Sequence, residues 1–529
     1  MERARAYVLR LRAPRFAQHD GRDPGVRRPD FPSVPTLSAV VTLVVHLVAN
    51  AHYGFFRDEL YFIICGRHPD FGYVDQPPIV PLLAAATQIF GNSLFLLRAV
   101  PALLAAASVY TTCLLVTEFG GGIFAQAFAA LIFLFTGVLA SFGGKVSTDE
   151  VGLLTWPLVA LLLVRIARGA SPRLWIAIGI AVGVSLESKY MMLFYIVALA
   201  AGLVATPLRR IFASPWFAAG CVVAFAIVLP NLLWQWQHGF PMFELLRNGQ
   251  TEKNLNPSPL LYVVQEILIT SLFLAPVWMI GEAWLLARPA YRFLGIAYVV
   301  LIVEMIVLHG KHYYPASIYT ILIAAGAVPI EGWTRVRPAV RVALVTCASL
   351  IGIAFFPFSL PVLPEAEFSA YAKSVVRVLH IPKSDFDTER LRQPSPLPGN
   401  WADMHGWPEL ARTVKRVYDG LPPKERSEAV VLASNYGEAS AIAYYTPRVP
   451  VISGHNQFWL WGLRGHSGDV LVQVGGTCFA SQHVYETRRV VAYTDSRWAI
   501  GFEQHVPIAI CSRPREALAM AWPKARLYR

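Results

Sequence analysis

The amino-acid sequence predicts a polytopic α-helical membrane protein of about eleven transmembrane helices with a soluble α/β domain after them. Three observations carry that prediction. The 529 residues are 55% hydrophobic and only 15% charged, with a mean hydropathy of +0.46, far from the composition of a water-soluble domain. Apolar runs long enough to cross ~30 Å of hydrocarbon, roughly 17–25 residues each, recur through the first two thirds of the chain. The net charge of +12 comes from Lys and Arg scattered between those runs, not gathered in one stripe, which excludes a nucleic-acid surface and reads as topology signals.

In order, the runs fall near residues 35–51, 94–117, 123–140, 151–167, 174–187, 191–205, 215–235, 259–286, 293–309, 314–330 and 339–360. The piece from Ile79 to Phe90, after the Pro77-Pro78 break, is too short to span and reads as a helix lying at the interface. Residues 1–34, rich in arginine and without an apolar core, read as a disordered cytoplasmic leader, and no cleavable signal peptide is expected. The transmembrane domain is expected over 35–360. Pro361, Pro364, Pro394, Pro396 and Pro398 mark a linker over 361–400. From 401 to 529 short apolar runs alternate with helical stretches (Pro408–Tyr418, Ala429–Ala433, Val470–Val474, Ile508–Cys511), the pattern of a small α/β domain.

Alternating spans place the leader, Arg165-Arg168-Arg173, Arg209-Arg210, Arg288-Arg292 and Arg335-Arg337-Arg341 on one side, which the positive-inside rule makes cytoplasmic. The other side receives Arg57-Asp58-Glu59, Asp75, Lys145 to Glu150, Lys189 and Lys311-His312-Tyr313, together with the tail domain. Every acidic or mixed-charge motif thus lands on the extracytoplasmic face of a multi-pass inner-membrane protein. Glycosyl transfer from a lipid phosphate needs a carboxylate for the acceptor hydroxyl, cationic groups for the phosphate and a groove open to the bilayer. The outer set supplies those residue types. Its blander reading is a set of ordinary solvated loops and structural ion pairs.

The order Arg57-Asp58-Glu59-Leu60-Tyr61, Gly72-Tyr73-Val74-Asp75-Gln76-Pro77-Pro78, then Leu96-Leu97-Arg98-Ala99-Val100-Pro101, resembles the protein mannosyltransferase and aminoarabinose transferase group of GT-C glycosyltransferases. Thr148-Asp149 and Lys311-His312-Tyr313-Tyr314-Pro315 are similar to further motifs of that group. The resemblance covers roughly the first 330 residues and implies a GT-C fold and transfer of a sugar from a polyprenyl-phosphate donor to an extracytoplasmic acceptor. It makes Asp58 the catalytic carboxylate, with Glu59 beside it. It puts Thr148 and Asp149 at the acceptor site, to which the residue types themselves add Asp75, and the cations Arg57, Lys145, Lys189 and Lys311, with His312 and Tyr313, are the candidates for the donor phosphate. Some relatives carry a phosphate-binding lysine where this chain has Gln76. The expected partners are the polyprenyl-phosphate sugar donor, the extracytoplasmic acceptor and the lipid bilayer, and nucleic acid is not among them. No metal-ligand cluster is visible, and a divalent ion is left open as cofactor.

The stretches Ser434-Asn435-Tyr436-Gly437-Glu438 and Gly454-His455-Asn456-Gln457-Phe458-Trp459 look like the tail of a bacterial branch of the group and read as a domain-docking surface in preference to a sugar-binding one. Cys478 and Cys511, in the same domain, are either a disulfide closing a loop of about thirty residues, worth roughly 3–4 kcal/mol, or two buried thiols. Two other functions fit the composition: a secondary transporter, which would place ionisable residues at paired broken helices in two similar halves, and a non-catalytic scaffold of the same fold.

Overall fold

Apolar periodicity turns into helices at every expected run, and the interruptions come where the backbone chemistry allows them. The computed structural model describes residues 34–50, 52–253, 257–379, 395–476 and 484–529; the leader, apart from Val34, lies outside the described residues. The first elements are α1 (Val34–Ala49), α2 (Arg57–Gly66), α3 (Ile79–Gln88), α4 (Leu94–Glu118), α5 (Ile123–Phe135) and α6 (Gly137–Gly144). Next come α7 (Glu150–Ala167), α8 (Leu174–Leu186), α9 (Met191–Val204), α10 (Pro215–Gln237) and α11 (Pro241–Asn248). The helical part closes with α12 (Pro259–Ile269), α13 (Ala275–Ala287), α14 (Arg292–Val307), α15 (Tyr319–Thr334) and α16 (Pro338–Phe355).

Among the described residues five helices are long and apolar enough to cross a membrane, or up to seven if each of two bent pairs counts as one span. That is fewer than the eleven expected, because several runs form helices of 10–17 residues. The run at 259–286 is two helices: Ser271 takes φ 71° between α12 and α13. The run at 123–140 bends by 70° at Thr136. These two breaks meet. Ser271 Oγ accepts from Gly137 N (3.3 Å) and donates to Phe135 O (3.1 Å), so the backbone groups freed at one break are satisfied from the other. Helices α10 and α16 leave Val222, Phe225, Leu350 and Ile353 on the outside, a surface that suits hydrocarbon and not water. The ten-residue α3 is too short to span. It buries Val80 and Ala84 and exposes Leu82, with Ile89 and Phe90 just beyond it, as an interface helix would.

The two ends of the bundle differ in chemistry. Arg98, in the first turns of α4, pairs with Glu59, whereas Glu118 at the far end of the same helix pairs with Arg165 and Arg168 (both 2.8 Å). Twenty residues of helix separate these sites by roughly 30 Å, so the arginine-rich and mixed-charge connections occupy opposite ends, as their alternation requires.

Beyond α16 the stretch read as a linker carries α17 (Glu365–Leu379), and the short α18 (Gly399–Ala402) precedes α19 (Trp407–Asp419). The tail then forms β1 (Ala429–Ala433), β2 (Val451–Ser453), β3 (Val470–Val474), β4 (Tyr485–Tyr493) and β5 (Pro507–Pro514). They make a five-stranded sheet of order β2-β1-β3-β5-β4, parallel among β2, β1 and β3 and antiparallel beyond. The parallel strands are buried throughout, and α20 (Pro423–Glu428) and α21 (Tyr436–Tyr445) flank β1 in sequence. Cys511 on β5 is buried and disulfide-bonded; its expected partner, Cys478, lies outside the described residues. Residues 34–529 form one compact unit. A shared apolar cluster joins Leu60, Tyr61, Ile63 and Tyr73 of the first loop region to Trp407, Tyr436, Ile442 and Phe458 of the tail.

Candidate active site

Glu59 organises the local geometry, and it does so from a position water cannot reach. Its carboxylate and the Arg98 guanidinium are both fully buried, joined by two hydrogen bonds (Nε to Oε1 3.0 Å, Nη2 to Oε2 2.9 Å). Phe56 N (2.8 Å) and Val146 N (3.1 Å) also donate to Glu59. The remaining Arg98 donors reach the carbonyls of Asn50, His52 and Gly54. One ion pair therefore ties the end of α1, the start of α2, α4 and the connection after α6. With all four hydrogen bonds committed, Glu59 faces inward and its neighbour Asp58 faces the site. The pairing also gives the two motifs Arg57–Tyr61 and Leu96–Pro101 a physical link.

Asp58 is about one third exposed, and Oδ1 accepts from Tyr436 Oη at 2.6 Å. Burial pushes the Tyr436 phenol well above its usual range, so it stays protonated and donates. Arg57 lies over the Tyr436 ring (5.4 Å to the centroid), 3.8 Å from Asp58 Oδ1 and 3.5 Å from Asp403 Oδ2. Gly437 is what permits this approach, since a Cβ there would stand 2.5 Å from Arg57 Cγ. Gly54 likewise admits Met404 O, which a Cβ would meet at 2.4 Å.

Asp75 lies beside this group. It accepts from Tyr61 Oη (2.8 Å) and Asn456 Nδ2 (3.1 Å), and the Tyr61 and Tyr436 rings pack 4.7 Å apart. Burial, with the charge of Asp58 adding to it, pushes the Asp75 carboxyl up to about 6 against the hydrogen bonds from Tyr61 and Asn456. Gln457 completes the dock, its N–H donating to Tyr61 Oη and its Oε1 accepting from Val74 N (3.0 Å). Gln76 is buried, beside the Cys65 thiol.

Lys145 is the cation nearest this cluster. Its side chain is 8% exposed, its ammonium sits 4.6 Å from the centre of the Phe56 ring, and no carboxylate lies within ion-pair distance among the described residues. Burial lowers its affinity for a proton, while the charges of Asp58, Glu59 and Asp403 oppose that effect. Ser141, Ser359, Leu360, Trp401 and Met404 line a tight recess beside it, too narrow for a water molecule.

The remaining expected residues form a second cluster. Lys189 Nζ pairs with Asp149 Oδ1 at 2.6 Å and stands 4.5 Å and 5.6 Å from the Tyr314 and Tyr313 ring centres. Thr148, Asp149, Trp156, Lys189, Tyr314 and Ser317 bound a narrow cleft. Lys311 lies 6.0 Å from the Tyr313 ring, and His312 is buried, its proton affinity lowered to about 4 by burial and by Lys311. The two clusters are stitched by backbone: Val146 N on Glu59, Ser188 Oγ on Thr148 O and Ile79 N on Glu187 O. Among the described residues no three His, Cys, Asp or Glu side chains converge in a way that would hold a metal ion.

Arg98, Asp403 and the donors Tyr436 and Asn456 carry roles that sequence reasoning did not assign. Three of these stood inside quoted motifs; Asp403 had no signal beyond its place next to Trp401, just after the proline-rich stretch.

Comparison with known proteins bears on the fold and on one segment of the sequence. The family model for dolichyl-phosphate-mannose-protein mannosyltransferase matches residues 75–234, which takes in Asp75, Lys145, Asp149 and Lys189 and leaves out Asp58. The lipid A galacturonosyltransferase RgtD of Rhizobium johnstonii is 27% identical over 186 residues, 35% of this chain and 39% of that protein, so the match spans about two fifths of that relative's length. The crystal structure of ArnT from Cupriavidus metallidurans bound to undecaprenyl phosphate superposes with a TM-score of 0.58 at 14% identity, covering 89% of this chain and 97% of that one. Its apo form gives 0.59 at 15% identity over the same shares. In fold over most of its length, and in sequence over the segment from Asp75 to Trp234, the chain resembles the protein mannosyltransferase and aminoarabinose transferase group of GT-C glycosyltransferases.

Proposed function

We propose that the chain is an integral-membrane glycosyltransferase that moves a sugar from a polyprenyl-phosphate carrier to a hydroxyl of an extracytoplasmic acceptor, with Asp58 as general base. The observation that carries this reading is the nearness of a partly exposed carboxylate, Asp58, to a buried lysine, Lys145, that has no carboxylate within ion-pair distance among the described residues. A buried ammonium without a partner is costly unless an anion arrives to meet it, and a lipid phosphate is such an anion. The likeness to an enzyme crystallised with undecaprenyl phosphate supports the same donor class.

In the proposed step Asp58 Oδ2 takes the acceptor proton while the acceptor oxygen bonds to the anomeric carbon. The bond from that carbon to the phosphate oxygen breaks, and the polyprenyl phosphate leaves with the electron pair, held by Lys145 and Arg57. The cleft at Asp149, Lys189 and Tyr314 offers aromatic and charged walls for the sugar. Glu59 positions Asp58 instead of reacting, and Lys311, His312 and Tyr313 line the approach. Because Asp58 touches the tail, the tail shares its side of the membrane, and the arginine-rich end is cytoplasmic by the positive-inside rule. The transporter reading gains no support from the broken helices at Thr136 and Ser271, since the Ser271 hydroxyl satisfies Gly137 N and Phe135 O beside the first break.

Membranes containing the protein, offered a panel of radiolabelled polyprenyl-phosphate sugars and followed for release of the lipid phosphate, test the reading. Asp58→Asn keeps the shape and removes the base, so transfer should fall by roughly 10²–10⁴ with the protein still folded. Activity above about a tenth of wild type would take Asp58 out of this role.

A further inference from the structure

We propose that Tyr436, contributed by the tail domain, is a positioning residue for the transfer: its O–H holds Asp58 Oδ1 and leaves Oδ2 to face the acceptor. The inference rests on Asp58 being the base and adds the tail to the catalytic machinery.

Three features of the tail carry it. Tyr436 opens α21, directly after β1, so it sits at the carboxyl end of a parallel strand next to the neighbouring strand ends at Ser453 and Val474. That edge of an α/β sheet is where ligand-binding groups gather, and here it is turned onto the start of α2. The phenol is buried and makes its 2.6 Å bond to a residue 378 positions away, while no hydrogen bond reaches Asp58 Oδ2 among the described residues. The ring is fixed on every side, by Tyr61 (4.7 Å), His455 (4.9 Å) and the Arg57 guanidinium (5.4 Å). Asn456 acts in parallel on Asp75, so each of the two site carboxylates in the first loop region receives a hydrogen bond from the tail.

The charges around Asp58 are of both signs. Arg57 and Lys145 are positive; Asp75 and Asp403 are negative, and Glu503, in the tail, is a buried carboxyl pushed up to about 7 by burial. His455 faces the Tyr436 ring, with Nε2 against Arg529 O. Against that background a neutral O–H donor orients the carboxylate without cancelling its charge.

Two variants of the full-length protein in membranes test this, assayed as above across pH. Tyr436→Phe keeps the ring and removes the donor; kcat should fall roughly tenfold, the acid limb of kcat/KM should move up by about one pH unit, and the donor KM should stay within twofold. Replacing Tyr436 by 3-fluorotyrosine makes the phenol a stronger donor, and the acid limb should move down. A purely structural role would change the amount of folded protein and leave the limb in place. The proposal is overturned if the limb stays put in both variants or moves the same way in both. Should Tyr436→Phe not accumulate, the fluorotyrosine protein decides alone. An active Asp58→Asn protein would overturn the reading beneath this one; an inactive Asp58→Asn with an unmoved limb would overturn only the role of Tyr436.

Discussion

Two aspartates, each at the same end of the helical bundle, are handled in opposite ways. Asp149 is neutralised by Lys189, a full ion pair made 40 residues away and walled by Tyr313 and Tyr314. Asp58 is held at 2.6 Å by an uncharged phenol from 378 residues away, with the Arg57 guanidinium farther off at 3.8 Å and shared with Asp403. A carboxylate consumed by a lysine helps to shape a cleft; one that is oriented and still anionic can take a proton. The contrast assigns different work to residues that look equivalent in the sequence.

That contrast is most easily broken at its foundation. Glu59→Gln puts an NH₂ where the arginine and two backbone N–H groups all donate, and leaves the Arg98 guanidinium buried without its counter-charge. It should cost about 3–5 kcal/mol, read as the loss of monodisperse, folded protein in detergent melts, whereas Asp58→Asn should melt within a few degrees of wild type. Similar melting losses for the two variants would mean that Asp58 too is structural.

A smaller effect sharpens the Asp58 side. The unfolded chain releases the Asp75 proton near 3.8, while the folded protein keeps it to about 6. The stability this confers is therefore fully present below about pH 4 and is lost as pH rises through 6, a swing of about 2–3 kcal/mol. Asp75→Asn removes the titrating group, so its melting temperature should depend less on pH between 4 and 7 than that of wild type. Parallel profiles would show that Asp75 is solvated and not buried.

The smallest effect is expected in the other cluster. Asp149→Asn frees Lys189 in the cleft and should lower kcat/KM by about tenfold, mostly through KM for the donor, since an ion pair of this exposure is worth about 1 kcal/mol. If Asp149→Asn abolished transfer as fully as Asp58→Asn, the division of labour between the clusters would be wrong.

The membrane fold was legible because hydrocarbon imposes one requirement on every span, and apolar runs report it directly. Strands at Ala429–Ala433 and Val470–Val474 emerged with the expected bounds, since fully buried parallel strands are short, continuous apolar runs. Long runs were less informative about breaks: nothing in the composition of 259–286 announces that Ser271 will turn back and seal the bend at Thr136. At the site, Asp58 and Lys145 could be picked out as chemistry without a visible structural use. Glu59 could not be told from Asp58, because what separates them is one helical step and an arginine 39 residues on. Tyr436 stood in a quoted motif, yet its partner could not be read, since no local pattern encodes a contact across 378 residues.

The bond between Tyr436 and Asp58 also has a consequence in time. A ribosome adding roughly 5–20 residues per second takes on the order of twenty seconds to more than a minute to cover the interval between the two residues. Through that interval the helices are already inserting, with α2 at the membrane surface and no tail yet made. A nascent chain thus spends that interval with Asp58 not yet held by the tail. On the proposed function, competence arrives only once the tail has been made and has closed on the bundle, so completion of synthesis and the onset of turnover become one event.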